Sequence, residues 1–195
     1  TKTSPMGTIE DPFNPGELAI GAGVTFFARS FDMTVKYLDE VMLAAAKHKG
    51  TALVEVLQNC VIFNNGAHHY YTDKQNREDR IIHLEDGKPM IFGKDKNKGI
   101  RLCNDKNHLE VITIGENGYT IDDVLVHDSH QVDRGVQMML AQMKGPDYPV
   151  AVGVIRDISK PCYSELMDEQ IAKAKETSKF KCVDDLLHSG NTWTV

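Results

Sequence analysis

The stretch from Thr25 to Leu57 constrains the fold more than any other part of the chain. Thr25-Phe26-Phe27-Ala28-Arg29 is a short apolar run of strand length. From Thr34 to His48, apolar residues recur at helical spacing, with Val35, Leu38, Met42 and Ala45 on one face. Asp32 or Thr34 stands where a cap is needed, and Lys47, His48 and Lys49 precede Gly50 at the other end. Basic residues there complement the helix dipole, and a glycine just beyond accepts a left-handed backbone. Thr51-Ala52-Leu53-Val54-Glu55-Val56-Leu57 is a second apolar run. Strand, helix and strand in so short a span predict a βαβ unit, which demands a parallel sheet.

The remainder is more mixed. Pro15 to Ala22 predicts a short helix, and residues 66 to 80 a polar loop with a helical turn. Ile81 to Phe92 reads as a hairpin around Asp86-Gly87. A second antiparallel pair is expected from Ile100–Leu102 and Leu109–Ile114, and another extended piece from Tyr119 to Val126. Val132, Val136, Met139, Leu140 and Met143 make a helical stripe that Gly145-Pro146 stops. Val150 to Ile155 predicts a strand, Ser164 to Glu176 and Lys181 to His188 predict helices, and Gly190 opens a tail. The fold class is therefore α/β over residues 1–65, followed by a mixed α+β extension over residues 66–195.

With 195 residues, 41% of them apolar, the chain is large enough to bury a core. No window reaches the roughly 18 consecutive apolar residues of a membrane span. Nor does an apolar segment follow the opening Thr1-Lys2-Thr3-Ser4-Pro5-Met6, so a cytoplasmic protein is expected. The opening lacks an initiator Met and is rich in turn residues (Pro5, Gly7, Pro12, Pro15, Gly16), which reads as an excised or processed piece. A net charge of −6 argues against a nucleic-acid partner, because phosphate binding requires a basic surface.

Four cysteines occur, Cys60, Cys103, Cys162 and Cys182, with no CxxC pair among them. Cys60 lies just past the second strand, in Gln58-Asn59-Cys60-Val61-Ile62-Phe63-Asn64-Asn65-Gly66. Parallel sheets place their ligands in the loops at the carboxyl ends of strands, so a ligand or a reactive thiol is one reading. Position alone favours the other, a buried structural thiol. His127-Asp128-Ser129-His130 offers two imidazoles and a carboxylate but no further metal ligand, and reads as a strand end followed by a helix cap at Asp128 or Ser129. His68-His69 reads as a surface pair, and Lys94, Lys96, Lys98 and Arg101 as a solvated basic turn. Such a turn is also the kind of patch that docks an acidic electron carrier. Glu116, Asp122 and Asp123 share no evident face, and no GxGxxG, P-loop, GxSxG or HExxH motif occurs.

Specific phrases go further than these patterns. Thr1-Lys2-Thr3-Ser4-Pro5-Met6-Gly7, Asp11-Pro12-Phe13-Asn14-Pro15, Phe27-Ala28-Arg29-Ser30 and Gly50 through Asn64 follow in order. Leu125-Val126-His127-Asp128, Pro149 through Asp157 and Gly190 through Val195 continue the series. Together they resemble beta subunits of the 2-oxoacid:ferredoxin oxidoreductases, the 2-oxoglutarate enzymes most closely. The resemblance implies that residues 1–65 are the C-terminal portion of a thiamine-diphosphate-binding α/β domain. It also implies oxidative decarboxylation of 2-oxoglutarate to succinyl-CoA and CO2, with electrons passing through a [4Fe–4S] cluster to ferredoxin. The cofactors implied are thiamine diphosphate, Mg²⁺ and the cluster, with coenzyme A as co-substrate. The implied partners are an alpha subunit, ferredoxin and the N-terminal part of the beta subunit.

Residue by residue, the Gln-Asn-Cys phrase makes Cys60 the fourth cluster ligand, reversing the positional reading. Thr1, Lys2 and Thr3 are implied to line the active site by adjacency to the cofactor segment. The family's N-terminal CxxC ligands and its Gly-Asp-Gly…Asn-Asn segment are not in this sequence and would lie upstream of Thr1. The chain alone is therefore expected to be catalytically silent. Cys103, Cys162 and Cys182 gain no role. Two alternatives stay open: a pyruvate or broad 2-oxoacid enzyme, and a non-catalytic subunit-interface module. A Cys60 sulfur bonded to iron, within about 2.3 Å, or pointing into an open pocket beside other cysteines favours the enzyme, and one buried among apolar side chains the module.

Overall fold

The computed structural model describes residues 4–103, 105 and 107–193. Helix α1 (Pro15–Ala22) starts where Asn14 accepts hydrogen bonds from the N–H groups of Gly16 and Glu17 at 2.9 and 3.3 Å, with Pro15 in the first turn. It stops at Gly23, whose φ of 93° is the left-handed cap. Strand β1 (Phe26–Phe31), helix α2 (Val35–Lys47) and strand β2 (Ala52–Leu57) follow. The two strands run parallel, in register from Phe26 against Ala52 to Phe31 against Leu57, as the βαβ spacing requires. The expected caps of α2 are engaged elsewhere. Thr34 donates its hydroxyl to the Phe31 carbonyl at 3.0 Å, and the Asp32 carboxylate accepts from the Asn59 N–H at 3.1 Å.

Two short helices, α3 (His69–Thr72) and α4 (Arg77–Arg80), lead into β3 (Ile81–Leu84). Then come β4 (Ile91–Phe92), β5 (Lys98–Cys103) and β6 (His108–Thr113), a 3-10 turn at Ile121–Asp123, helix α5 (Gly135–Gln142) and β7 (Val150–Asp157). The main sheet has the order β2-β1-β7-β3, with β1/β2 and β3/β7 parallel and β1/β7 antiparallel. At its centre, Gly153 faces Arg29 on one side and Leu84 on the other. Its φ is +106°, and a Cβ there would lie 2.7 Å from the Leu84 carbonyl oxygen, so no other residue fits without strain.

The second sheet, β4-β5-β6, is antiparallel and contains the expected pair around residues 104–107. The expected hairpin at Asp86-Gly87 does not form. A turn is present, with the Lys88 N–H on the Glu85 carbonyl, but β3 and β4 belong to different sheets. The chain beyond the turn is taken by another partner: Gly87 N–H bonds to the His127 carbonyl, His127 N–H to Lys88, and Met90 N–H to Leu125. The Tyr119–Val126 piece is part 3-10 turn and part bridge, with Val126 opposite Pro89. In the helical stripe before Gly145, Leu140 and Met143 are buried while Val132 is exposed, because α5 begins only at Gly135.

The principal core gathers Ile20, Phe27, Ile82, Phe92, Ile100, Leu109, Leu140 and Ile155, joining the main sheet, α1, α5 and the second sheet. The opposite face of β1, through Phe26 and Ala28, packs under Val41 of α2. All six residues of β1 are buried, including Arg29. Its guanidinium is tolerated because Glu55, its partner in register, accepts from Nε at 2.6 Å while the Ala141 carbonyl accepts from the guanidinium's terminal N–H at 3.1 Å. The first compact unit extends to Lys160, on both sides of residue 65. The second, from Pro161, holds α6 (Tyr163–Thr177) and α7 (Val183–Leu187), close to the expected helices. Within it, Ile171, Phe180, Val183 and Leu186 line an apolar groove.

Candidate functional site

The loop at the carboxyl end of β2 is built around Asn59. Its backbone N–H is held by Asp32 at the end of β1, its side-chain N–H donates to Asn65 Oδ1 at 3.0 Å, and its side-chain oxygen accepts from the Gly66 N–H at 2.8 Å. Gly66, at φ +84°, supplies the bend that closes the loop. Within this clamp the Asn64 N–H bonds to the Cys60 carbonyl at 2.9 Å, which folds residues 60–64 into a turn under the sulfur. The Cys60 thiol is exposed. Backbone N–H groups of Phe63 and Ile62, and to a lesser degree Asn64, lower the pKa of its thiol below the ordinary value. An exposed thiol on a turn held by hydrogen bonds, with backbone N–H groups favouring its thiolate, suits a soft metal.

The sides of the loop are apolar. Val61, Ile62 and Phe63 are 71%, 64% and 52% exposed, a run of side chains that water does not favour. Beside it opens a cleft of about 290 Å³ lined by Asp32, Met33, Asn59, His68, His69 and Thr72. His68 and His69 thus lie against the Cys60 loop and not on a remote surface. The positional expectation of a buried Cys60 does not hold, because the clamp turns the chain outward just where β2 ends.

The other sequence candidates resolve differently. His127 is buried, and its Nε2 donates to the Val154 carbonyl at 2.8 Å; burial lowers its pKa. Ser129 donates both its N–H and its hydroxyl to Asp86 at 2.8 Å, which keeps that carboxyl below the usual range. No helix starts at Asp128 or Ser129, so the expected cap is instead a tie between two loops. Lys98 pairs with Asp79 at 2.8 Å, and Arg101 pairs with Glu110 across β5 and β6. Those two cations of the basic cluster are committed to structure. Asp123 caps its own 3-10 turn through Thr120. Thr1, Lys2 and Thr3 lie outside the described residues.

A second cluster escaped sequence reading. At the amino end of the parallel strands, His48 bridges the Thr25 hydroxyl through Nε2 and the Asp157 carboxylate through Nδ1, each at 2.8 Å. The pattern of hydroxyl, imidazole and carboxylate looks nucleophilic. However, Thr25 is only 7% exposed, and its oxygen also meets the carbonyl and N–H of Thr51 at 3.1 and 2.9 Å. Buried and held by both the carbonyl and the N–H of Thr51, the hydroxyl has no path to attack a substrate. Its neighbour Gly50 (φ +134°) leaves no room for a substrate either, since a Cβ there would sit 2.3 Å from that oxygen.

Comparison with known proteins now bears on this geometry. Over 198 aligned residues the chain is 35% identical to the 2-oxoglutarate oxidoreductase subunit KorB of Mycobacterium tuberculosis, covering all of this chain and 52% of that protein. It is 41% identical over 85 residues to the beta subunit of 2-oxoacid:ferredoxin oxidoreductase 1 of Aeropyrum pernix, covering 44% of this chain and 25% of that one. The chain is a homologue of 2-oxoacid:ferredoxin oxidoreductase beta subunits. It spans about half the length of the Mycobacterium relative. The fold of this beta-subunit homologue also superposes on a 2-oxoglutarate:ferredoxin oxidoreductase from Magnetococcus marinus, solved with 2-oxoglutarate, coenzyme A and succinyl-CoA bound. That match has a TM-score of 0.58 at 19% identity and covers 97% of this chain and 48% of the other. The α/β class read from the sequence agrees with that likeness. No protein-family profile matches the homologue. Among its described residues, no helix is long and apolar enough to cross a membrane.

Proposed function

We propose that this chain is the carboxyl-terminal part of the beta subunit of a cytoplasmic 2-oxoglutarate:ferredoxin oxidoreductase, and that Cys60 is its contribution to the electron path. The overall reaction converts 2-oxoglutarate and coenzyme A to succinyl-CoA and CO2, releasing one proton and two electrons, which pass one at a time to oxidised ferredoxin. The observation that carries the reading is Cys60 itself. It is an exposed thiol, biased toward the thiolate by backbone N–H groups, at the carboxyl end of a parallel strand in a chain related throughout to such beta subunits.

A [4Fe–4S] cluster, when bound, supplies one-electron storage, and bound thiamine diphosphate with Mg²⁺ supplies stabilisation of the carbanion left by decarboxylation. This chain would give the cluster one ligand, the Cys60 sulfur. Its remaining ligands and the diphosphate-binding segment would come from outside residues 1–195, and Thr1, Lys2 and Thr3 would line the active site. What the described residues do is hold the sulfur. The Asn59 clamp fixes the turn, the Phe63 and Ile62 N–H groups stabilise negative charge, and Asp32 ties the loop to β1. The exposed Val61, Ile62 and Phe63 would shield the cluster from water once covered by the rest of the beta subunit or by the alpha subunit.

The test is ferredoxin reduction by the intact complex, assayed without oxygen with coenzyme A and either 2-oxoglutarate or pyruvate. Faster turnover of 2-oxoglutarate is expected. Preferential use of pyruvate would transfer the assignment to a pyruvate or broad 2-oxoacid enzyme.

A further inference from the structure

We propose that the tip of the β5–β6 hairpin is a metal site of its own, in which Cys103, His108 and Glu110 bind a zinc ion as a cross-strand clip. Cys103 and His108 are the last partners in the register of the two strands, and Arg101 and Glu110 are the pair two positions further in. Side chains two apart on a strand share a face. The hairpin therefore brings the thiol, the imidazole and the carboxylate to one side of the ladder. Their ligating atoms lie within 4.8 Å of one another, and all three residues are half-buried. Around a tetrahedral zinc the same atoms would stand about 3.5 Å apart, given metal–ligand distances of roughly 2.0–2.3 Å. Closing that gap takes small side-chain rotations and no movement of the strands.

The donor set selects the ion. One thiolate, one imidazole and one carboxylate suit a borderline-soft cation such as Zn²⁺, whereas Mg²⁺ and Ca²⁺ require oxygen ligands throughout. Binding would displace the thiol proton to solvent. Glu110 can serve while keeping its cross-strand partner, because Arg101 engages one carboxylate oxygen, Oε1, and leaves the other for the metal. Arg101 does not oppose the ion unscreened. It acts on the carboxylate of Asp123 as well as on Glu110, and its guanidinium lies 5.5 Å from the centre of the Tyr119 ring. Three protein ligands leave a fourth position for water. The clip would fasten the turn end of a strand pair whose other end is tied to the core by Ile100 and Ile112. It is independent of Cys60, which lies on the other sheet's side of the chain order, past β2.

The experiment loads the intact protein with zinc, removes loosely held metal by gel filtration, and measures zinc per chain. One equivalent is expected in the wild type and in Cys60→Ser and Cys182→Ser, with loss of that equivalent in Cys103→Ser and His108→Ala. X-ray absorption at the zinc edge should show one sulfur near 2.3 Å, the rest being nitrogen or oxygen near 2.0–2.1 Å. Wild-type protein that retains no zinc, zinc that survives both substitutions, or a first shell without sulfur would overturn the site. Should a variant lose its circular dichroism, the wild-type absorption spectrum still decides.

Discussion

The two ends of the β1–α2–β2 unit hold similar chemistry and do opposite things with it. At the amino end, Thr25, His48 and Asp157 look like parts of a catalytic array, yet the buried Thr25 hydroxyl and the His48 ring are engaged in tying β1 to β2 and β7, and only the Asp157 carboxylate reaches solvent. At the carboxyl end, a single cysteine with no side-chain hydrogen bond among the described residues is presented outward on a turn that three polar residues, Asp32, Asn59 and Asn65, hold in place together with the Gly66 N–H. What separates them is satisfaction and access, not residue type. A hydroxyl and an imidazole buried and bonded to their neighbours act as a fastener, and an exposed charge-biased group on a loop held by hydrogen bonds is free for a ligand.

Substitutions at the two ends should therefore separate stability from function. Gly50→Ala is expected to have the largest effect. It forces a Cβ toward Thr25 Oγ1 at a left-handed φ, and should cost about 3 kcal/mol in urea unfolding with little change in slope. His48→Ala strips two partners from buried or half-buried groups and should cost about 2 kcal/mol, with His48→Gln recovering part of it. Equal stability of His48→Ala and the wild type would break the contrast from this side.

Acid should weaken the sheet through His127. Burial lowers its folded-state pKa, so below about pH 6.5 the unfolded chain binds the extra proton. Its contribution is therefore present above that pH and lost as pH falls toward the folded value, by at most about 1.4 kcal/mol per pH unit. In His127→Leu this part of the pH slope should flatten. The smallest effect on folding is expected for Cys60→Ala, with no shift of the unfolding midpoint because its thiol is exposed. In metal-free protein, Cys60 should alkylate at lower pH than a free cysteine in a model peptide, because backbone N–H groups stabilise its thiolate. A midpoint lowered as far as by His48→Ala would mean that Cys60 belongs to the packing.

Periodicity made the βαβ unit legible, since strands and helix there are long enough for apolar spacing to be decisive. The Asp86-Gly87 hairpin was misread because a turn signal is local, whereas its strand partners, Leu125 to His127 for the chain beyond Gly87, lie some forty residues downstream. Cys60 was visible by its place after β2 and by the phrase around it. Its exposure was not, because that depends on Asn59 reaching both Asn65 and Gly66. His48 left no readable signal, as its partners Thr25 and Asp157 are brought together only by the antiparallel β1/β7 pairing. Likewise, Cys103 and His108 are unremarkable in sequence until the hairpin register faces them across the ladder.

The central claim is that Cys60 is free in order to bind a cluster. It is tested most directly by iron content and visible spectrum of the intact complex purified without oxygen, wild type beside Cys60→Ala. Loss of the cluster absorption and of bound iron with the fold retained by circular dichroism is the predicted result. Full iron content and an unaltered spectrum in Cys60→Ala would contradict it.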